Sequence, residues 1–155
     1  MTRIVLAFLF STLLVACASA ADRAQPTLPQ SPLVIETAKG KANFIVELAN
    51  TPESQETGMM FRTHAAPNEG MLFDFGAESE RVFWMKNTLI PLDMIFIRAN
   101  GRIAHIARMT VPKSLRMVPS GAPVQAVLEI AGGRAAQLGV VEGDLVRHSI
   151  FKNLP

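Results

Sequence analysis

The chain contains one cysteine, one tryptophan and no tyrosine. A single cysteine, Cys17, excludes any intrachain disulfide, so packing alone must hold the fold together. The histidines are few and scattered: His64, His105 and His148 lack the close spacing of zinc motifs, and the carboxylates form no EF-hand loop. The sequence therefore implies no metal and no cofactor. Ser120-Gly121 falls short of a Gly-x-Ser-x-Gly elbow, and neither a P-loop nor a dinucleotide fingerprint occurs. Beyond the first residues, no apolar run approaches the roughly 20 residues of a membrane-spanning helix. Acids are missing from the whole interval between Asp93 and Glu129, where Arg98, Arg102, Arg108, Lys113 and Arg116 fall together with His105. Such a stretch is either a solvated basic face or a surface for an anionic ligand or an anionic membrane. The formal charge of only +2 and the lack of a recognisable binding motif argue against nucleic acid.

What is present suits one compact domain behind an N-terminal extension: 49% of residues are apolar and 18% charged. Arg3, the almost wholly apolar Ile4 to Ala16 and the small residues up to Ala21 read as an export signal over residues 1–20. Two endings compete. Ala18-Ser19-Ala20 fits cleavage before Ala21, whereas Leu14-Val15-Ala16-Cys17 resembles a bacterial lipobox that would make Cys17 a lipidated N-terminus. Either ending predicts an exported protein, periplasmic or envelope-associated, and the second adds membrane attachment through an N-terminal lipid. Residues 21–32, with three prolines, read as an extended tether, which leaves 33–152 as a single globular domain.

Within that domain, Leu33 to Thr37 and Ala42 to Ala49 carry strand patterns around a turn at Lys39-Gly40-Lys41. Thr51 can cap a short helix with Pro52 at its first position and Glu53 and Glu56 near the positive dipole end, finishing near Phe61. Further strands are expected over Met71 to Phe75, Arg81 to Asn87, Met94 to Arg98 and Ile103 to Met109, the last two joined by the hairpin pair Asn100-Gly101. Val111 to Pro123 reads as a loop or flap, Val124 to Ile130 as a strand, Gly132 to Leu138 as a helix stopped by Gly139, and Leu145 to Ile150 as a final strand. About eight short strands and two short helices without βαβ alternation predict an α+β domain, mostly antiparallel and barrel-like.

The block from Phe83 to Ile97 sets Lys86, Asn87 and Asp93 among large apolar groups, a mixture that marks either a structural network or a binding site. This block, preceded by Gly58-Met59-Met60-Phe61-Arg62 and Gly70-Met71-Leu72-Phe73 and followed by Val127-Leu128-Glu129 and Gly143-Asp144, closely resembles domain-of-unknown-function family 192, over roughly Leu33 to Ile150. The family's pattern often has Leu where Met59 stands and an aromatic residue where Ala126 stands. The second change is expected to widen a site near Glu129. The resemblance implies a compact β-rich domain and no particular activity, so function must be argued from residues.

If Arg81 to Asn87 is extended, Val82, Trp84 and Lys86 share one face, and Trp84 beside Lys86 makes either a pocket wall next to a cation or a core residue with a snorkelling lysine. Asn87 and Asp93 bracket a turn, where such side chains commonly bond the turn backbone. Arg62 and Glu129 complete the candidate set, and an Arg62–Glu129 or Lys86–Glu129 pair is conceivable. The leading expectation is a ligand-binding module in which Trp84 supplies an apolar wall, Arg62, Lys86 and Asn87 hold a small anionic or polar molecule, and Asp93 and Glu129 orient the bases. A hydrolase-like enzyme with Asp93 or Glu129 as general base and Lys86 or Arg62 at an oxyanion is the second reading. The third is an accessory or assembly protein acting through protein partners.

Overall fold

The computed structural model describes residues 23–154, which leaves the export signal and Cys17 outside the described residues. Strands β1 (Gln30–Thr37) and β2 (Gly40–Ala49) form a hairpin with Thr37 opposite Gly40, so Ala38-Lys39 make the turn. Thr51 caps helix α1 (Pro52–Thr57) in a capping box with Ser54. The helix stops at Gly58, short of the expected Phe61, because Gly58 takes φ 48 and ψ −132, a conformation that residues with a Cβ avoid. Strand β3 (Glu69–Ser79) then runs parallel to β2, which makes α1 and the following loop a crossover.

The short β4 (Val82–Phe83) leads to β5 (Leu92–Ile97) and β6 (Ile103–Thr110), joined across Asn100-Gly101 as expected, with Gly101 at φ 82. β7 (Val118–Pro119) lies within the expected flap and pairs with β4 as a two-stranded ribbon. β8 (Val124–Ala131) inserts between β3 and β5, α2 (Arg134–Leu138) ends at the left-handed Gly139, and β9 (Leu145–Arg147) adds to β1. The last expected strand is therefore cut short, and a 3₁₀ turn, Ser149–Phe151, replaces its second half.

The seven-stranded sheet has the order β6-β5-β8-β3-β2-β1-β9. It curls far enough for its two edges to meet: Arg102 and Leu145 form a bridge, Ile103 N–H donates to Asp144 O at 3.0 Å, and Val146 N–H donates to Gly101 O at 2.8 Å. The α+β, mostly antiparallel, barrel-like architecture is thus what the chain adopts. Alternation along the strands sorts side chains into two cores. Leu33, Ile35, Phe44, Val46, Leu72, Ile95 and Leu128 fill one face, while Met71, Phe73, Met94, Phe96 and Val127 fill the other beneath Met59 and Met85. Each such fully buried side chain contributes roughly 1.5–3 kcal/mol. Ala126 belongs to the first core and Glu129 to the opposite face, so the small residue at 126 does not widen the surroundings of Glu129.

Two further expectations are corrected. Only Val82 and Phe83 of the Arg81 to Asn87 stretch are strand; Lys86 and Asn87 form a turn, with Asn87 at φ 55. The segment read as a tether is partly docked: the Gln25 amide donates to Ser54 O at 3.1 Å and Gly58 O at 2.9 Å, and Leu28 N–H donates to Glu47 Oε2 at 2.8 Å.

Candidate functional site

Glu129 sits near the centre of the sheet, with Met71 of β3 opposite it on one side and Met94 of β5 on the other. It is 4% exposed and makes no hydrogen bond or ion pair among the described residues. Burial, with nothing to offset it, pushes its carboxyl up to about 8. A carboxyl in that state is neutral through most of the physiological range and presents both a donor and acceptors.

Above Glu129 opens a cavity of about 400 Å³. Phe73, Phe75 and Phe83 form its aromatic side: the Phe83 ring meets Phe73 edge-on at 5.2 Å and 88°, and Phe75 at 6.3 Å and 79°. Trp84 extends this side to the surface, where it is 45% exposed and carries the Lys86 ammonium 5.1 Å from its ring centroid. The end of α1 supplies the facing wall through Gln55, Gly58, Met59 and Met60. Gly58 serves a second purpose there, since a Cβ would stand 3.0 Å from Phe73 Cζ. Gln55 is fixed by donating to Asp74 O at 2.7 Å and Ala49 O at 3.2 Å. Glu56, Thr57, Glu80, Arg81, Val82 and Thr88 complete the lining, and the Arg81 guanidinium lies 4.1 Å above the Phe75 ring.

The structure brings together Trp84 and Glu129 and disperses the other expected site residues. Lys86 touches the site only through Trp84 and does not line the cavity. Arg62 forms a bidentate pair with Glu47, both contacts at 2.8 Å, so neither Arg62 nor Lys86 pairs with Glu129. Asn87 contributes its backbone, the carbonyl accepting from Phe61 N–H at 2.8 Å. Asp93 is fully buried and accepts three backbone N–H groups: Met109 at 2.8 Å and Gly133 at 3.0 Å on Oδ1, and Ala135 at 2.8 Å on Oδ2. It clamps the end of β6 to the start of α2 rather than bonding its own turn or orienting Lys86. Because Met94, its neighbour on β5, is the residue opposite Glu129, Asp93 faces the other side of the sheet. The two carboxyls therefore do not share one face of the sheet.

Sequence reasoning missed Phe73, Phe75, Phe83 and Arg81. The available signal was Phe73 and Phe75 two residues apart on a strand, hence on one face, but alone it reads as core filling. The histidines stay apart, His105 pairing with Glu142 at 2.9 Å and His148 with Ser31 at 2.7 Å. Among the described residues no three His, Cys, Asp or Glu side chains are grouped to hold a metal.

The model of the DUF192 family, described as an uncharacterized ACR, matches residues 34–148. A candidate transcription regulator from Sinorhizobium meliloti 1021 is 39% identical in a crystal structure with a TM-score of 0.78, over 81% of this chain and 98% of that one. A protein of unknown function from Novosphingobium aromaticivorans DSM 12444 is 38% identical with a TM-score of 0.77, over 89% of this chain and all of that one. No curated protein matches the chain.

Proposed function

The chain belongs to the DUF192 family, and from the geometry of its site we propose that it is a small-molecule binding module whose ligand lies in the cavity above Glu129. The observation that carries this reading is a buried carboxyl at the floor of an aromatic-walled cavity, with no hydrogen-bond partner among the described residues. Leaving such a group unsatisfied costs about 1–3 kcal/mol or more for a charge, and a ligand that supplies the partner recovers that cost. Phe73, Phe75, Phe83 and Trp84 take the apolar body of the ligand. The head is polar and favours positive charge, because the lining offers Glu56, Glu80 and Glu129 against the single base Arg81, and aromatic faces attract cations. Of the bases expected to hold an anionic head, Arg62 pairs with Glu47 and Lys86 lies against the outer face of Trp84, which leaves Arg81 as the base in the lining. The transcription-regulator description of the Sinorhizobium protein gains no support here: the described helices, six and five residues long, offer no helix-turn-helix. Export through the N-terminal signal would put this module in the envelope.

Trp84 is the only tryptophan, so its fluorescence reports on the site directly. Titration with benzylammonium, benzyl alcohol and benzoate separates charge from shape. Saturable binding is expected to be tightest for the cation and weakened roughly tenfold to a hundredfold by Glu129→Gln, the range for a charge-assisted contact. The apparent affinity for the cation should rise as the solution passes from pH 7 to 8, since binding expels the proton from Glu129. Preference for benzoate, or binding of the cation that Glu129→Gln leaves unchanged, would sink the assignment.

A further inference from the structure

Among the described residues, seven of the ten exposed large hydrophobic ones fall in two segments, 82–89 and 109–117. The second segment is dense in them: Val111, Leu115 and Met117 are each about two-thirds exposed, at 67%, 66% and 68%. The two segments form one surface. β4 pairs with β7, Met85 N–H donates to Ser114 O at 2.9 Å, and Lys113 N–H donates to Thr88 O at 3.0 Å. Trp84, 45% exposed, stands on this same surface.

Bases are interleaved with the apolar side chains. Lys86, Lys113 and Arg116 are exposed, and none of them has an acidic partner among the described residues. Between Arg81 and Glu129 the only acid is Asp93, which is buried with its oxygens occupied by backbone N–H groups. Exposed apolar groups standing among cations, with an indole beside them, match the three layers of a lipid surface. The apolar ends enter the acyl boundary, Lys and Arg reach phosphate level on long stems, and Trp sits between. A merely acidic protein surface would satisfy the bases and leave the protruding Val111, Leu115 and Met117 without a purpose.

We infer that the surface formed by Trp84 and the 109–117 loop docks on an anionic phospholipid membrane. This contact does not depend on the lipidation of Cys17. Each base near an anionic surface contributes a factor of about five, so three together contribute about two orders of magnitude.

Sedimentation with vesicles tests this, using phosphatidylcholine alone and an equal mixture with phosphatidylglycerol. The full chain and a chain lacking residues 1–22 are compared, the trimmed chain keeping every described strand, the first of which begins at Gln30. Both are expected to bind the charged vesicles. In the trimmed chain, combined Lys86→Ala, Lys113→Ala and Arg116→Ala should weaken binding by about two orders of magnitude, and Leu115→Ser with Met117→Ser by about tenfold. These positions are exposed, and near-ultraviolet circular dichroism verifies that the variants stay folded. The inference is overturned if the trimmed chain ignores lipid charge or binds neither vesicle. It is equally overturned if poly-glutamate is bound as tightly as the charged vesicles and the Leu115/Met117 variant binds normally, which would assign the surface to an acidic protein.

Discussion

Replacing Glu129 by glutamine should make the protein more stable, and by an amount that depends on pH. Glutamine keeps the shape of the protonated side chain and cannot ionise. The wild-type carboxyl has its ordinary value near 4.5 when unfolded and about 8 when folded. Between those values the folded state holds a proton that the unfolded state has released, so wild-type stability falls as pH rises through the window. Below pH 4.5 both states are protonated and the penalty vanishes; above pH 8 it is complete and constant. At pH 7 the penalty is about 3 kcal/mol, and above the window it approaches about 5 kcal/mol. Urea denaturation of wild type and Glu129→Gln across this range measures the difference directly, with equal slopes certifying that only stability has changed. The two curves should coincide at the acid end and separate steadily toward pH 8. For a domain of this size the gap at pH 7 corresponds to a rise in Tm of about 10 °C. A difference that stays constant with pH, or a wild type more stable than the glutamine variant at pH 8, would mean that Glu129 has a partner in the folded protein and would refute the argument from isolation.

Two neighbouring residues should behave differently. Asp93→Asn retains an acceptor for Met109 and Gly133 but turns an amide N–H against that of Ala135, and should cost about 2–3 kcal/mol by urea denaturation. It should leave ligand binding intact; a stable Asp93→Asn that no longer binds would return Asp93 to the site. Arg62→Ala strands Glu47, which then keeps only the Leu28 N–H, and should lower stability by about 2–3 kcal/mol. Because Arg62 does not line the cavity, Trp84 fluorescence titrations of the folded variant should match wild type.

The elements that could be read from the sequence are those specified by neighbours in the chain. Thr51 with Ser54, Asn100-Gly101 and the left-handed Gly139 act over a few residues, and each does what local chemistry dictates. The extended reading of Arg81 to Asn87 failed because tertiary contacts decide there: Asn87 O is taken by Phe61 N–H, and Met85 N–H by Ser114 O. The same limit governed the site. Glu129 and Trp84 could be nominated as polar and aromatic features of a motif, but the partners of Arg62 and Asp93 lie 15 to 42 residues away and are set by the sheet register. Phe73 and Phe75 look like ordinary core residues until β4 brings Phe83 against them.

The insertion of β8 between β3 and β5 also fixes when the molecule can come into being. Until residues 124–131 are available, β1-β2-β3 on one side and the β5-β6 hairpin on the other share no ladder, and each presents an open edge. A ribosome still holding residues 124–131 therefore holds two half-sheets that share no ladder. The strand that closes this seam is the one that carries Glu129. Its carboxyl therefore enters the sheet in the same step that completes it.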